Sequence, residues 1–146
     1  MSHIAERQAE LKSLDAIERA ANRLGGVLMR GQTTYRWFGQ WVGDTPMPAG
    51  MSKTDLGRCT HAIQFPGLGK SGYEIGLREQ ADGSFSLAWD WWHSGGLLPI
   101  MGDTSAGKFV QAYGIEAAKR EAVRRGYSAR EVSLDNGDIQ LVMAVR

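Results

Sequence analysis

The residues that could do chemistry gather at a few places along this chain. Cys59-Thr60-His61 sets a thiol and an imidazole two residues apart in what reads as a strand, so both side chains would project from one face. The pair would offer two of the three or four ligands that zinc needs, yet His3 and His93 are distant in sequence and no second Cys-x-His exists. The same two residues could form a thiol nucleophile with its base. Nothing nearby marks a third residue to orient the base or a donor for an oxyanion. Alternation groups Cys59 and His61 with Ile63 and Phe65, which favours a buried thiol and a hydrogen-bonded core histidine over a metal site.

Pro66-Gly67-Leu68-Gly69-Lys70-Ser71-Gly72 invites comparison with a phosphate loop. The full motif requires a glycine where Gln64 stands, and a helix immediately after it whose free amides and dipole hold phosphate. The next residues, Tyr73-Glu74-Ile75-Gly76-Leu77, have the pattern of a strand instead, so the stretch reads as a hairpin connection. Its backbone amides, with Lys70, could still hold an anion without hydrolysing anything. Trp89-Asp90-Trp91-Trp92-His93 is the densest aromatic cluster. Alternation sends Trp89 and Trp91 to the core and leaves Asp90, Trp92 and His93 at a strand end beside a glycine-rich loop. A carboxylate, an imidazole and a flat ring make a ligand rim, to which Tyr35, Arg36 and Trp37 could add. General acid–base work by Asp90 and His93 is chemically conceivable, but no motif specifies their geometry.

Lys119, Arg120, Arg124, Arg125 and Arg130 form a basic stretch. Cations there complement a helix C-terminus, and Glu116 and Glu121 are spaced to pair with Arg120 and Arg125, so a solvated face is the first reading and a local nucleic-acid or nucleotide patch the alternative. The overall balance agrees. With 17 Lys+Arg against 16 Asp+Glu, the chain lacks the basic field a general nucleic-acid or anionic-membrane binder uses. A single cysteine excludes an internal disulfide and a four-thiolate zinc site. At 42% hydrophobic over 146 residues, the chain can close a core as a single domain, residues 1–146, without staples. The start of the chain has charges where an apolar signal core would lie, and the uncharged run from Trp91 to Gly102 is too short to span a bilayer. A cytoplasmic protein with no membrane partner is therefore expected.

Local patterning predicts the elements that position these residues. Ser13 to Leu24 is a helix with Leu14, Ile17, Ala20, Ala21 and Leu24 in one stripe, Ser13 as cap and Gly25-Gly26 as stop. The preceding His3 to Leu11 reads as an edge strand. Val27 to Val42 is extended and aromatic, and Gly43 to Asp55 is a loop rich in proline and glycine. Strands come next at Arg58–Phe65, Tyr73–Leu77 and Ser84–Trp92, with Asp82-Gly83 as a hairpin turn. The last of these places Phe85, Leu87, Trp89 and Trp91 on one face. A second helix runs from Thr104 to Arg125; its apolar residues exceed one stripe, so it is covered on two sides or bends near Gly114. A final hairpin turns at Asn136-Gly137. The fold class is α+β: a mainly antiparallel sheet with two helices in the order β-α-β-β-β-β-α-β-β.

This order and its local wording resemble one family of unknown function, the hypothetical chloroplast reading frame 35 family of plastids and cyanobacteria, with relatives in other bacteria and in phages. The residues that carry the resemblance are Met1-Ser2-His3, Ser13-Leu14-Asp15-Ala16-Ile17, Cys59-Thr60-His61-Ala62-Ile63 and Tyr73-Glu74-Ile75-Gly76-Leu77. Asp82-Gly83 with Leu87 and Trp89-Asp90, Gln111-Ala112-Tyr113, Gly126-Tyr127 and the closing hairpin complete it. It implies a small soluble domain and no activity to carry over. The Gly67–Gly72 stretch and the Trp37–Trp41 segment lie outside the pattern.

These residues point first to a non-catalytic protein that captures a small anionic or nucleotide-like ligand with Arg36, Trp37, His61, Lys70, Asp90, Trp92 and His93, without a cofactor. The alternative is an interaction or assembly subunit, either a homo-oligomer or an accessory to a larger bacterial or phage machine. A metal-dependent enzyme built on Cys59, His61 and Asp90 or His93 is the third reading.

Overall fold

A computed structural model describes residues 3–41, 43 and 46–145. The opening Met1-Ser2, and Val42, Asp44 and Thr45 of the long loop, lie outside the described residues.

Strand β1 (Ile4–Leu11), an edge strand as expected, runs into helix α1 (Leu14–Arg23), which starts where the Ser13 cap predicts. Ser13 Oγ accepts the Ala16 N–H at 3.1 Å, and Ala16, Ile17, Ala20 and Ala21 form the buried stripe. The helix crosses one face of a sheet to β2 (Val27–Arg30) at the opposite edge. Then β3 (His61–Gln64), β4 (Ile75–Glu79) and β5 (Phe85–Asp90) meander back until β5 pairs with β1. The order is β1-β5-β4-β3-β2 and every pairing is antiparallel. The α+β architecture expected from the sequence is the one found.

Three differences have local causes. The extended stretch expected to reach Val42 stops at Arg30, where Gly31 turns the chain at φ 81. The region from Gly31 to Thr60 then crosses the sheet with a single Thr34–Arg58 bridge among its described residues. Within the stretch read as a glycine-rich loop, Leu97–Met101 forms a short helix, α2, because Leu97 and Met101 recur at helical spacing and are both fully buried. Helix α3 (Gly107–Arg124) begins after Thr104, since Asp103 first closes a turn, its Oδ1 accepting the Ser105 and Gly107 N–H groups at 2.9 Å. The helix is continuous through Gly114 and is covered on two sides, by α1 and by the hairpin of β6 (Tyr127–Ser133) and β7 (Ile139–Val145).

Each sheet face has its own core. On the helix face, Leu28, Ile63, Ile75, Leu77, Phe85, Leu87 and Trp89 meet Ile17, Ala20 and Ala21 of α1, Met101 of α2 and Phe109 of α3. Burial of each large side chain there contributes roughly 1.5–3 kcal/mol. The other face carries a row of small residues, Ala62, Gly76 and Ala88, in direct cross-strand register and ending at Glu6. Tyr35 lies flat on that row, joined by Met51 and Leu56 from the crossing segment. A Cβ at Gly76 would sit 2.4 Å from the Tyr35 ring, so only glycine admits this contact.

The β6–β7 hairpin is a separate sheet of two strands, too small to hold its shape without a support. Glu131 anchors it. Its carboxylate takes a bidentate pair from Arg23 of α1 at 2.8 and 2.9 Å and a third bond from Lys119 of α3 at 3.0 Å. These cations hold the Glu131 carboxyl down at about 2.

The core under Tyr35 and the Glu131 anchor each give an expected outcome. Gly76→Ala should lower the free energy of urea unfolding by roughly 1–3 kcal/mol, the cost of forcing a methyl into a filled core. Because the folded pKa of Glu131 lies below the ordinary 4.5, its contribution is full above pH 4.5 and is lost as pH falls towards about 2. In that window the melting temperature of the parent protein should fall more steeply than that of Glu131→Gln; equal slopes would dismiss this anchor.

Candidate functional site

The crossing segment that covers the small-residue row has almost no ladder of its own, so its N–H groups need other acceptors. Two buried carboxylates provide them. Asp90, fully buried at the end of β5, accepts the His3 and Trp92 N–H groups on Oδ1 at 2.9 and 3.0 Å and the Phe38 N–H on Oδ2 at 3.0 Å. Glu74, also buried, accepts the Arg36 N–H at 2.8 Å and the Gln32 side-chain amide at 3.3 Å. The Arg36 side chain returns the contact: Nε donates to the Gly72 carbonyl at 2.7 Å and Nη2 lies 3.8 Å from Glu74 Oε2. A third carboxylate on this face, Glu6, pairs with Arg78.

Beside Asp90 the aromatic rings form a chain. The His3 ring stacks on Trp91 with centroids 4.2 Å apart and tilts against Trp92 at 5.1 Å, and Trp92 meets His93 at 4.2 Å. Trp37 closes over Gly57, and Phe38 is exposed. The glycine-rich stretches interlock here. The Tyr73 N–H bonds to the Gly95 carbonyl at 3.0 Å, and a Cβ on Gly95 would fall 2.0 Å from the Tyr73 ring. Leu68 fills the space left by Gly72 and Gly96.

The structure therefore brings together part of the expected ligand set. Arg36, Asp90, Trp92 and His93 belong to the end of the sheet where β4 begins and β5 finishes, and Trp37 and Lys70 lie in the segments flanking it. Of these, Asp90 is enclosed and its oxygens are occupied by backbone donors, while His93 and Lys70 are exposed and the Arg36 side chain is half exposed. His61 is elsewhere. Register sets it beside Leu77 and hence Leu87, about 10 Å along the strand from Asp90 and two strands across. There its Nδ1 accepts the Gly31 N–H at 2.8 Å and its ring meets Phe85.

Cys59 and His61 do not share a face. The Thr60 N–H bonds to the Leu77 carbonyl while His61 is itself the register partner of Leu77, so an extra residue opposes Leu77 and breaks the alternation. His61 turns to the helix face. Cys59 turns to the Tyr35 side, where its Sγ donates to the Gln32 carbonyl at 3.2 Å. Burial, with Glu74 nearby, pushes the thiol up to about 11, the opposite of what a nucleophile requires. Among the described residues no three His, Cys, Asp or Glu side chains come together as a metal-binding group. The Pro66–Gly72 stretch opens with a short 3₁₀ turn (Pro66–Leu68) and leads into β4, so no helix N-terminus stands behind Lys70.

The residues that sequence reasoning missed are Glu74, Glu6 and Arg78. Alternation was the available signal for Glu74: it falls with Gly76, opposite in face to Ile75 and Leu77, and a carboxylate beside a glycine on a covered face must be met by a donor. A cleft of about 600 Å³ also lies outside the expected set, between α1 and α3, with Arg19, Lys119, Arg120 and Arg124 along it and Glu116 and Glu121 among them. No helix among the described residues is long and apolar enough to cross a membrane. No family model, curated protein or solved structure matches the chain.

Asp90 acts here as a pin for backbone, so Asp90→Asn should unfold at lower urea. One amide N–H₂ must then confront a backbone N–H, and a loss of roughly 2–3 kcal/mol is expected. A variant as stable as the parent would free Asp90 for another role.

Proposed function

We propose that this chain works by binding another protein, as an assembly or accessory subunit, and that the β6–β7 hairpin is its contact surface. The observation that supports this reading is the hairpin itself. It stands outside the main sheet, and its Tyr127, Val142, Met143 and Val145 side chains are exposed, Val145 at 81%. Val123 of α3, half exposed, adds to the apolar surface. Exposed apolar side chains gathered on one ribbon, next to strand edges with unused hydrogen-bonding groups, are the features of a protein-recognition surface. A bacterial or phage setting belongs to the same reading, by way of the family resemblance.

Capture of a small anionic or nucleotide-like ligand is the second reading, and one observation favours it. The α1–α3 cleft is of ligand size, and Arg19, Arg120 and Arg124 line it. Against it, Glu121 bonds both Arg124 and Arg125, and Asp15 lies 3.6 Å from Arg120, so much of that charge is already answered within the chain. The first reading has the stronger physical basis.

Site-specific photo-crosslinking in the producing cell tests it. A photoreactive side chain at Gln140, exposed on β7, should give adducts of defined mass, while the same group at Asp82, in the β4–β5 turn, should give none. Equal silence at both positions would retire the hairpin as a contact surface.

A further inference from the structure

The edge of β7 has the hydrogen-bonding register and the side chains to pair with itself. The Leu134 N–H bonds to the Asp138 carbonyl at 2.8 Å, which fixes the phase of the hairpin ladder. In an antiparallel pair the bonded and non-bonded positions alternate, and this hairpin keeps its register without a shift from Ser133–Ile139 to Tyr127–Val145. Gln140, Val142 and Ala144 therefore spend their N–H and C=O groups on β6. Ile139, Leu141, Met143 and Val145 turn theirs outward.

Natural edge strands are blunted by charges, prolines or bulges. None is present on β7: Ile139-Gln140-Leu141-Val142-Met143-Ala144-Val145 has no charged residue, no proline and no register shift. The β6 strand differs, carrying Arg130 and Glu131, and α3 lies chiefly over β6, which leaves β7 as the outer strand.

We propose that two copies of this chain pair through β7, antiparallel about a two-fold axis at Val142, joining their hairpins into one four-stranded sheet. This rests on the hairpin being a contact surface and names its occupant. The outward groups dictate the register. Only with Val142 opposite Val142 do all of the outward residues find partners, Ile139 with Val145 and Leu141 with Met143, each pair exchanging two bonds. The same register sets Met143 and Val145, the most exposed apolar side chains of β7, beside Leu141 and Ile139 of the second copy. No like charges meet, and one strand is its own complement, as a two-fold contact requires.

Val142 makes the test specific. It is exposed, its side chain lies on the hairpin face away from Glu131, and across the axis it would confront itself in a non-hydrogen-bonded pair. Light scattering after size exclusion, over a concentration series, should give twice the 16.0 kDa chain mass. Val142→Lys should weaken the dimer at least tenfold, while far-UV circular dichroism and melting of the monomer stay unchanged. In a Cys59→Ala background, Val142→Cys should form an intermolecular disulfide on mild oxidation, because the Cα atoms of a non-hydrogen-bonded pair lie about 4.5 Å apart, inside the range of roughly 4.4–6.8 Å that a disulfide spans. Val27→Cys, exposed on an edge strand of the main sheet, should not. A monomer at every concentration, or a dimer that survives Val142→Lys, overturns the proposal. If the chain alone is monomeric but Gln140 crosslinks to a different protein, self-pairing falls and the contact surface stands. If Gln140 gives no adduct either, both fall.

Discussion

A sheet face covered by irregular chain raises a problem that a helix cover does not: the covering backbone arrives with N–H groups that have no ladder to join. In this protein the answer is a pair of buried carboxylates. Asp90 and Glu74 stand at the same end of adjacent strands and accept the backbone N–H groups of Phe38 and Arg36, two residues apart in the crossing segment. Asp90 reaches further and also holds the starts of the segments at His3 and Trp92. Once these bonds are made, Tyr35 is fixed over Gly76, and Met51 and Leu56 complete a core on the face that lacks helices. The arrangement makes the second core depend on polar atoms. Hydrogen bonds to a carboxylate are about twice as strong as those between neutral groups.

Much of the fold was legible where the signal is local. Ser13 and the Ile17–Ala20–Ala21 stripe defined α1, the Asp82-Gly83 and Asn136-Gly137 turns defined the hairpins, and period-two alternation put Leu87 and Trp89 on the helix face. Two kinds of information were not local. Pairing partners decide where alternation breaks, so the extra residue opposite Leu77 that separates Cys59 from His61 could not be read from their spacing. Long-range acceptors decide what a buried acid is for, and the 52-residue separation of Phe38 from Asp90 has no trace in the sequence. Asp90 beside Trp92 and His93 thus looked like a ligand rim when one of its tasks was to hold the backbone under that rim. Arg36, Trp92 and His93 do stand at that end of the sheet, and His61 does not.

The hairpin stands in a different relation to the rest. It is joined to α1 and α3 through Glu131 with Arg23 and Lys119, and through partly buried apolar contacts such as Ile139 against the α1–α3 seam. Its own contacts are local in sequence, whereas the main sheet joins β1 to β5 across most of the chain. Local contacts form quickly and close few long loops. The domain consequently has two kinds of β-structure: a central sheet whose two cores close together, and an outlying ribbon held by one polar anchor and a modest apolar seam.

The meeting of Tyr73 with Gly95 sets a rule for how this sequence can drift. The two positions come from separate connections, before β4 and after β5, and the ring occupies the volume that any side chain at 95 would claim. A substitution at Gly95 is tolerable only in a chain that has already lost bulk at 73. Loops of this kind ordinarily change length and composition independently. Here their histories are coupled, so that two stretches which look free to vary must change in step.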